Sequence, residues 1–206
     1  MAVVRDGQLV YLENGRTRDE VIAQIMASVH EHRDVVVGFD FAFSFPAWFL
    51  RERGLDDVGS LWDLVGAEGE AWLADCQPPF WGRPGTKKPV LAEHFRETDR
   101  SCEPVAGITP KSVFQIGGAG AVGTASIRGM PYLGRLREAG FSVWPFDPPR
   151  LPLVVEIYPR ALTGEVNKSD AGARTEYLKH WTLQPRCGCV PSRATTRLTP
   201  RSLPWS

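Results

Sequence analysis

The run from Val35 to Pro46, VVVGFDFAFSFP, constrains this chain more than any other stretch. Three consecutive valines follow Asp34 without polar alternation, which is the pattern of a strand buried on both faces. The run carries one carboxylate, Asp40, and leaves through a turn marked by Ser44 and Pro46. Asp40 is therefore expected at the carboxyl end of a central strand, the edge where open α/β sheets gather their ligand sites. A carboxylate in that place either coordinates something or caps the turn that follows. A second run of the same kind, Leu151 to Pro159, LPLVVEIYP, embeds Glu156 among apolar residues. An acid in that setting is costly unless it is paired, protonated or metal-bound.

A chain of 206 residues fits one domain with room for an elaborated insertion, and its 43% hydrophobic content rules out general disorder. Lys and Arg, 24 together, balance 24 Asp and Glu, so no global basic field announces nucleic acid. That balance conceals an asymmetry, because no acid follows Glu176, whereas Lys179, Arg186, Arg193, Arg197 and Arg201 do. No apolar run approaches the roughly 20 residues that span a bilayer, and no signal peptide opens the sequence. A cytoplasmic protein without membrane contact is expected. Cys76, Cys102, Cys187 and Cys189 lack the paired C-x-x-C spacing of a zinc site. Cys187 and Cys189, with His180 upstream, stand between a metal reading and ordinary reduced thiols.

Taken in order, residues 2 to 13 read as a hairpin about Asp6-Gly7, and Thr17 to Glu20 as a capping box opening a helix through Val29. Residues 47 to 110 read as an insertion, with a second helical pattern from Ser60 through Leu73. Gln77 to Pro89 is too rich in Pro and Gly for a regular element. Its Phe80, Trp81, Arg83, Lys87 and Lys88 either stack bases and meet phosphates or pack on their own domain.

The third informative stretch is Lys111 to Pro131, KSVFQIGGAGAVGTASIRGMP, with Gly118, Gly120 and Gly123 in a formal G-x-G-x-x-G. With Phe141 to Asp147 as a following strand it would be a dinucleotide fingerprint, hence a nicotinamide-dependent oxidoreductase. Against that, Lys111, Ser112 and Gln115 stand where a buried strand should be apolar, and Gly129 and Pro131 are expected to interrupt the next helix. Alternatively the glycine-rich turn offers its N–H groups, with Lys111 and Arg128 nearby, to a nucleotide or phosphate, as a non-catalytic binding module. A plain packing turn is the third reading. A helix is expected from about Ala171 to Trp181, and beyond Thr182 the composition is that of a basic, irregular tail.

GFDFAFSFPAWFL, KSVFQIGGAGAVGTASIRGMPYL and VVEIYPRAL, in this order, resemble the family called domain of unknown function four-two-nine, predicted nucleases of ribonuclease H-like fold. The resemblance covers roughly residues 1 to 181 and implies an α/β domain with a mixed five-stranded sheet flanked by helices. It implies a metal-dependent nuclease holding Mg or Mn, with Asp40 and Glu156 as catalytic and metal-binding carboxylates and Lys111 as a further catalytic group. Gln115, Gly118, Gly120 and Arg128 would hold the phosphate backbone, which makes nucleic acid the implied partner. Two metals held by carboxylates clamp the attacking and leaving oxygens of a phosphodiester. The sequence departs from the pattern at both ends, where the family's first acid-bearing strand and its last helix are not found. Read in the other frame, residues 194 to 204, ATTRLTPRSLP, permit SDDAFDAAVSA, a string similar to that last helix. The expectation is that residues 182 to 206 are a frame-shifted, non-native tail and that this truncated chain is impaired or inactive.

Overall fold

The computed structural model describes residues 1–180 apart from Ala92 and Lys168. The expectations for the tail, for Trp181 and for Cys187 and Cys189 lie outside the described residues. Two compact units are distinguished, Met1–Arg16 with the residues from 168 on, and Thr17–Asn167. Among the described residues no helix is long and apolar enough to cross a membrane.

The smaller unit contains strands β1 (Ala2–Arg5) and β2 (Gln8–Leu12) and the helix α7 (Ala171–His180). The strands pair antiparallel, Arg5 opposite Gln8 and Ala2 opposite Leu12. Asp6 and Gly7 both take positive φ, 49° and 75°, which is the backbone a two-residue hairpin demands.

The larger unit is mixed α/β. Its elements are α1 (Arg18–Glu31), β3 (Val36–Phe39), α2 (Ala47–Glu52), α3 (Val58–Asp75), α4 (Glu97–Arg100), α5 (Gly123–Glu138), β4 (Ser142–Trp144), β5 (Leu153–Glu156) and α6 (Pro159–Thr163). Helix α1 opens on the expected box, with Thr17 Oγ1 accepting the Glu20 N–H while the Glu20 carboxylate accepts the Thr17 N–H. Helix α3 is capped by Asp57, which accepts the Ser60 N–H at 3.0 Å, and buries Leu61, Trp62, Val65 and Leu73 along one stripe. Far from being peripheral, the 47–110 region supplies Phe49, Leu61, Trp62 and Phe80 to the core.

The sheet of this unit has three strands in the order β3-β5-β4, all parallel. The five described strands thus fall into sheets of two and three. Strand β5, not β3, takes the middle place, which corrects the expectation of Asp40 on a central strand. Val36 is 59% exposed, so the unbroken valine run reflects an apolar sheet edge and not burial on both faces.

Helix α5 continues through Gly129 and Pro131, where the sequence suggested a break. Its Ile127, Met130, Leu133 and Leu136 are buried, and that burial outweighs the backbone hydrogen bond lost at the proline. Gly129 is an approach point, since a Cβ there would sit 2.6 Å from the Phe41 ring. The segment before α5 is bound to the 81–82 loop: the Trp81 N–H donates to the Phe114 carbonyl at 3.0 Å and the Ile116 N–H to the Trp81 carbonyl at 2.9 Å. Two glycine backbones then cross, and a Cβ on Gly82 would lie 2.4 Å from the Gly117 carbonyl oxygen, with the reverse distance also 2.4 Å.

This crossing gives a direct test by urea denaturation. Gly82→Ala and Gly117→Ala each lower stability by about 1–3 kcal/mol, the scale of forced backbone strain. Gly134→Ala, in mid-α5 with its nearest neighbouring atom 3.9 Å from the added Cβ, raises stability by about 0.4–1 kcal/mol.

Candidate functional site

Parallel pairing of β3 with β5 sets Phe39 opposite Glu156, so Asp40, one residue on, emerges at the same carboxyl edge as Glu156. The two carboxylates singled out in the sequence thus stand at one sheet edge, one residue out of register, and the polar contacts of Glu156 are to Arg96 and Phe43 and not to Asp40. Asp40 is exposed and makes no hydrogen bond or ion pair among the described residues. Burial, and behind it the nearby Cys102, Arg160 and Asp40, acts on the phenol of Tyr158 just past β5, and the net effect raises it above its ordinary value.

Glu156 is held differently. Its two oxygens accept from Arg96, Oε2 from Nη1 at 2.8 Å and Oε1 from Nη2 at 2.7 Å. Oε2 also accepts the Phe43 N–H at 3.0 Å. The same guanidinium grips Asp99, Nε on Oδ2 at 3.0 Å and Nη2 on Oδ1 at 2.7 Å. Asp99 belongs to the single turn of α4, and its Oδ2 accepts the Arg96 N–H as well, at 3.0 Å. Burial works against the guanidinium charge, but its hydrogen bonds to Glu156 and Asp99 outweigh that cost and raise its pKa above the ordinary arginine value.

The turn after β3 is fixed from three sides. Besides Phe43 N–H on Glu156, the Ala42 N–H donates to Ser126 Oγ in the first turns of α5 at 2.9 Å, and Trp62 Nε1 donates to the Phe43 carbonyl at 2.8 Å. Ser126 thus links the sheet edge to the start of α5, immediately after the glycine-rich segment. A second link runs through Ser112, whose hydroxyl donates to the His94 carbonyl at 2.9 Å, two residues before Arg96.

In the glycine-rich segment, Gly118 and Gly120 take φ of 76° and 78° about Ala119, which does not. The buried Gln115 carboxamide donates to the carbonyls of Gly117 and Ala119, at 3.3 and 3.0 Å. Gln115 thereby braces the loop from inside, its two donors drawing the loop carbonyls inward. Among the described residues the N–H groups of Gly118, Ala119 and Gly120 meet no acceptor. The stem of Lys111 lies against Gly120, 3.4 Å from where a Cβ would be, and no carboxylate among the described residues pairs with its ammonium. Arg128 pairs with Glu70 on α3, at 2.7 and 2.9 Å, in an exposed ion pair. Residues 111–117 form turns and one isolated bridge, Trp81 with Gln115, so the strand that a dinucleotide fingerprint needs before Gly118 is not built. Asp147, the acid expected to end its partner strand, turns back to accept from Val143 N–H and Arg137.

The residues fit a divalent cation poorly. Hard cations want several carboxylate oxygens with free lone pairs. Glu156 spends both oxygens on a guanidinium and an amide, and among the described residues no three His, Cys, Asp or Glu side chains converge as a metal set. Arg96, Asp99 and Ser126 were not found from sequence. The demand for a partner to Glu156 was legible, but 24 Lys and Arg residues compete for that role.

Replacing Arg96 by Met leaves two carboxylates facing each other in a largely buried place, and the expected cost is about 3–5 kcal/mol by urea denaturation. Exchanging all three charges together, Arg96→Met with Asp99→Leu and Glu156→Gln, recovers much of that loss. A second expectation concerns pH. Burial, helped by the Lys88 ammonium, holds the His94 imidazole below its ordinary value of 6.5, while Nε2 donates to the Pro89 carbonyl at 3.0 Å. The folded state then binds fewer protons at His94 than the unfolded chain, so this contribution is intact above pH 6.5 and is lost as pH falls below it. Urea midpoints measured from about pH 7.5 to 5.5 fall less steeply in His94→Gln than in the parent.

Comparison of the chain with protein-family models, with curated proteins and with solved structures finds no match.

Proposed function

We propose that this chain binds a phosphate-bearing ligand, a nucleotide or a nucleic-acid phosphate, on the 117–123 segment beside Lys111. The observation that carries this reading is the exposed backbone of Gly118 to Gly120, whose N–H groups meet no acceptor among the described residues. Left-handed residues alternating with others turn successive N–H groups into an anion-binding concavity. Gln115 holds the loop carbonyls away from such an anion, so little rearrangement precedes binding. Lys111 supplies a point charge that no carboxylate among the described residues neutralises, and α5 begins at Gly123 with its positive dipole end toward the same segment.

The metal-dependent nuclease implied by the resemblance draws on a different observation, Asp40 and Glu156 standing at the same carboxyl edge of the sheet. No hydrolytic step is assigned, because Glu156 is committed to Arg96.

Fluorescence anisotropy and thermal shift with nucleotides and short DNA and RNA strands, in EDTA, test the binding reading. Binding persists in EDTA and weakens about tenfold or more in Lys111→Gln, the worth of one charge-assisted hydrogen bond. Binding that Lys111→Gln leaves intact, or no binding by the parent, overturns it. A manganese-dependent nuclease assay runs alongside, and cleavage that disappears in Asp40→Asn would establish the hydrolytic reading in its place.

A further inference from the structure

Arg96 Nη2 donates to Asp99 Oδ1 and to Glu156 Oε1, each at 2.7 Å, so the two carboxylates face one another across a single nitrogen. Like charges facing one another repel unless a cation lies between them. In oxygen-rich sites that cation is often a divalent metal, drawing on several carboxylate oxygens at about 2.0–2.6 Å. Here the guanidinium fork meets the same demand with four N–H···O contacts of 2.7 to 3.0 Å. Unlike a metal it is covalently part of the chain, does not dissociate, and stays charged at every working pH.

Three features make the arrangement permanent. The Arg96 and Asp99 side chains are only 13% and 6% exposed, so water offers the guanidinium little alternative solvation. Arg96 is the residue before α4, and Asp99 closes back on its backbone N–H, which fixes the root of the side chain as well as its tip. Glu156 is pinned on its other side by the Phe43 N–H, so its carboxylate has little freedom to swing toward Asp40. A divalent ion entering at Glu156 would either sit against a guanidinium or part it from a carboxylate that now holds it. Coulomb repulsion opposes the first, and the cost of an unpaired buried charge opposes the second.

We propose that Arg96 is the resident counter-cation of this sheet edge, filling the place a divalent metal would take between Glu156 and Asp99 and excluding Mg2+ and Mn2+ from it. The divalent cofactor implied by the resemblance is then not held by these carboxylates. The proposal concerns the cation and not the phosphate ligand, so its test contains no phosphate compound and its outcome is separate from that of Lys111→Gln.

The test is a Mn2+ titration of the full chain, freed of metal beforehand, with unbound Mn2+ followed by electron paramagnetic resonance and folding followed by circular dichroism. The parent shows no saturable binding up to about 1 mM, the weak end of carboxylate-based cation sites. Arg96→Gln, which leaves Asp99 and Glu156 facing each other without a cation, gains a site at least about tenfold tighter than that limit. Adding Glu156→Gln to Arg96→Gln abolishes the gain. Saturable Mn2+ binding by the parent that Glu156→Gln removes overturns the proposal. So does a folded Arg96→Gln that binds no better than the parent. If Arg96→Gln does not fold, the parent and Glu156→Gln titrations decide by themselves.

Discussion

An ionised carboxylate at the end of a buried strand needs a positive charge beside it, and the arrangement of this sheet edge depends on Arg96 meeting Glu156. One guanidinium draws the residues around α4 onto the end of β5, and Glu156 in turn receives the Phe43 N–H from the turn after β3. Trp62 then reaches the Phe43 carbonyl from α3. A single ion network therefore touches four segments far apart in sequence. Such a network adds little net stability over an apolar replacement of equal shape. What it fixes here is position: β5 has Glu156 in one register against β3, and a slip of one residue would turn the acid to the other face.

The close glycine approaches complete that frame by letting backbone meet backbone. Gly82 against Gly117 joins the Pro-rich loop to the segment before α5, and Gly129 admits the Phe41 ring against the helix. With Ala42 N–H on Ser126, these contacts tie the start of α5 to the turn that follows Asp40. The glycine-rich segment and the acidic edge are therefore parts of one scaffold, although nothing in their sequence spacing says so.

Local signals were readable because their physics is local. The Thr17 capping box, the Asp6-Gly7 turn and the apolar stripe of α3 each need only a few neighbouring residues, and each occurs where the sequence placed it. That Asp40 and Glu156 stand at one sheet edge followed from two strands of one kind ending in acids. The rest needed partners from far along the chain. FRETDR, residues 95 to 100, reads as a solvated charged run, yet its Arg96 and Asp99 are largely buried because Glu156, 60 residues away, is there to meet them. That Gln115 donates to the carbonyls of Gly117 and Ala119, and that Arg128 pairs with the carboxylate of Glu70, is invisible in a motif. Pro131 looked like a helix breaker because propensity does not count the four apolar residues that α5 buries around it.

The charge that Arg96 brings lowers the negative field that the acidic edge would set against the phosphate proposed for the 117–123 segment. A phosphate near the 117–123 segment carries up to two negative charges, and unscreened carboxylates within about 8–10 Å oppose it. Glu156, Asp99 and Asp40 would together be a strong repulsive field. The guanidinium cancels one of those charges at a distance where the low local dielectric makes cancellation effective, leaving Asp40 as the exposed acid that water and salt screen best. The edge then presents one exposed carboxylate and one residual buried charge, instead of three. A metal at the same place would lower the charge more strongly, but only while bound. An arginine does it at every metal concentration, which makes the lowered charge of this edge a property of the fold itself.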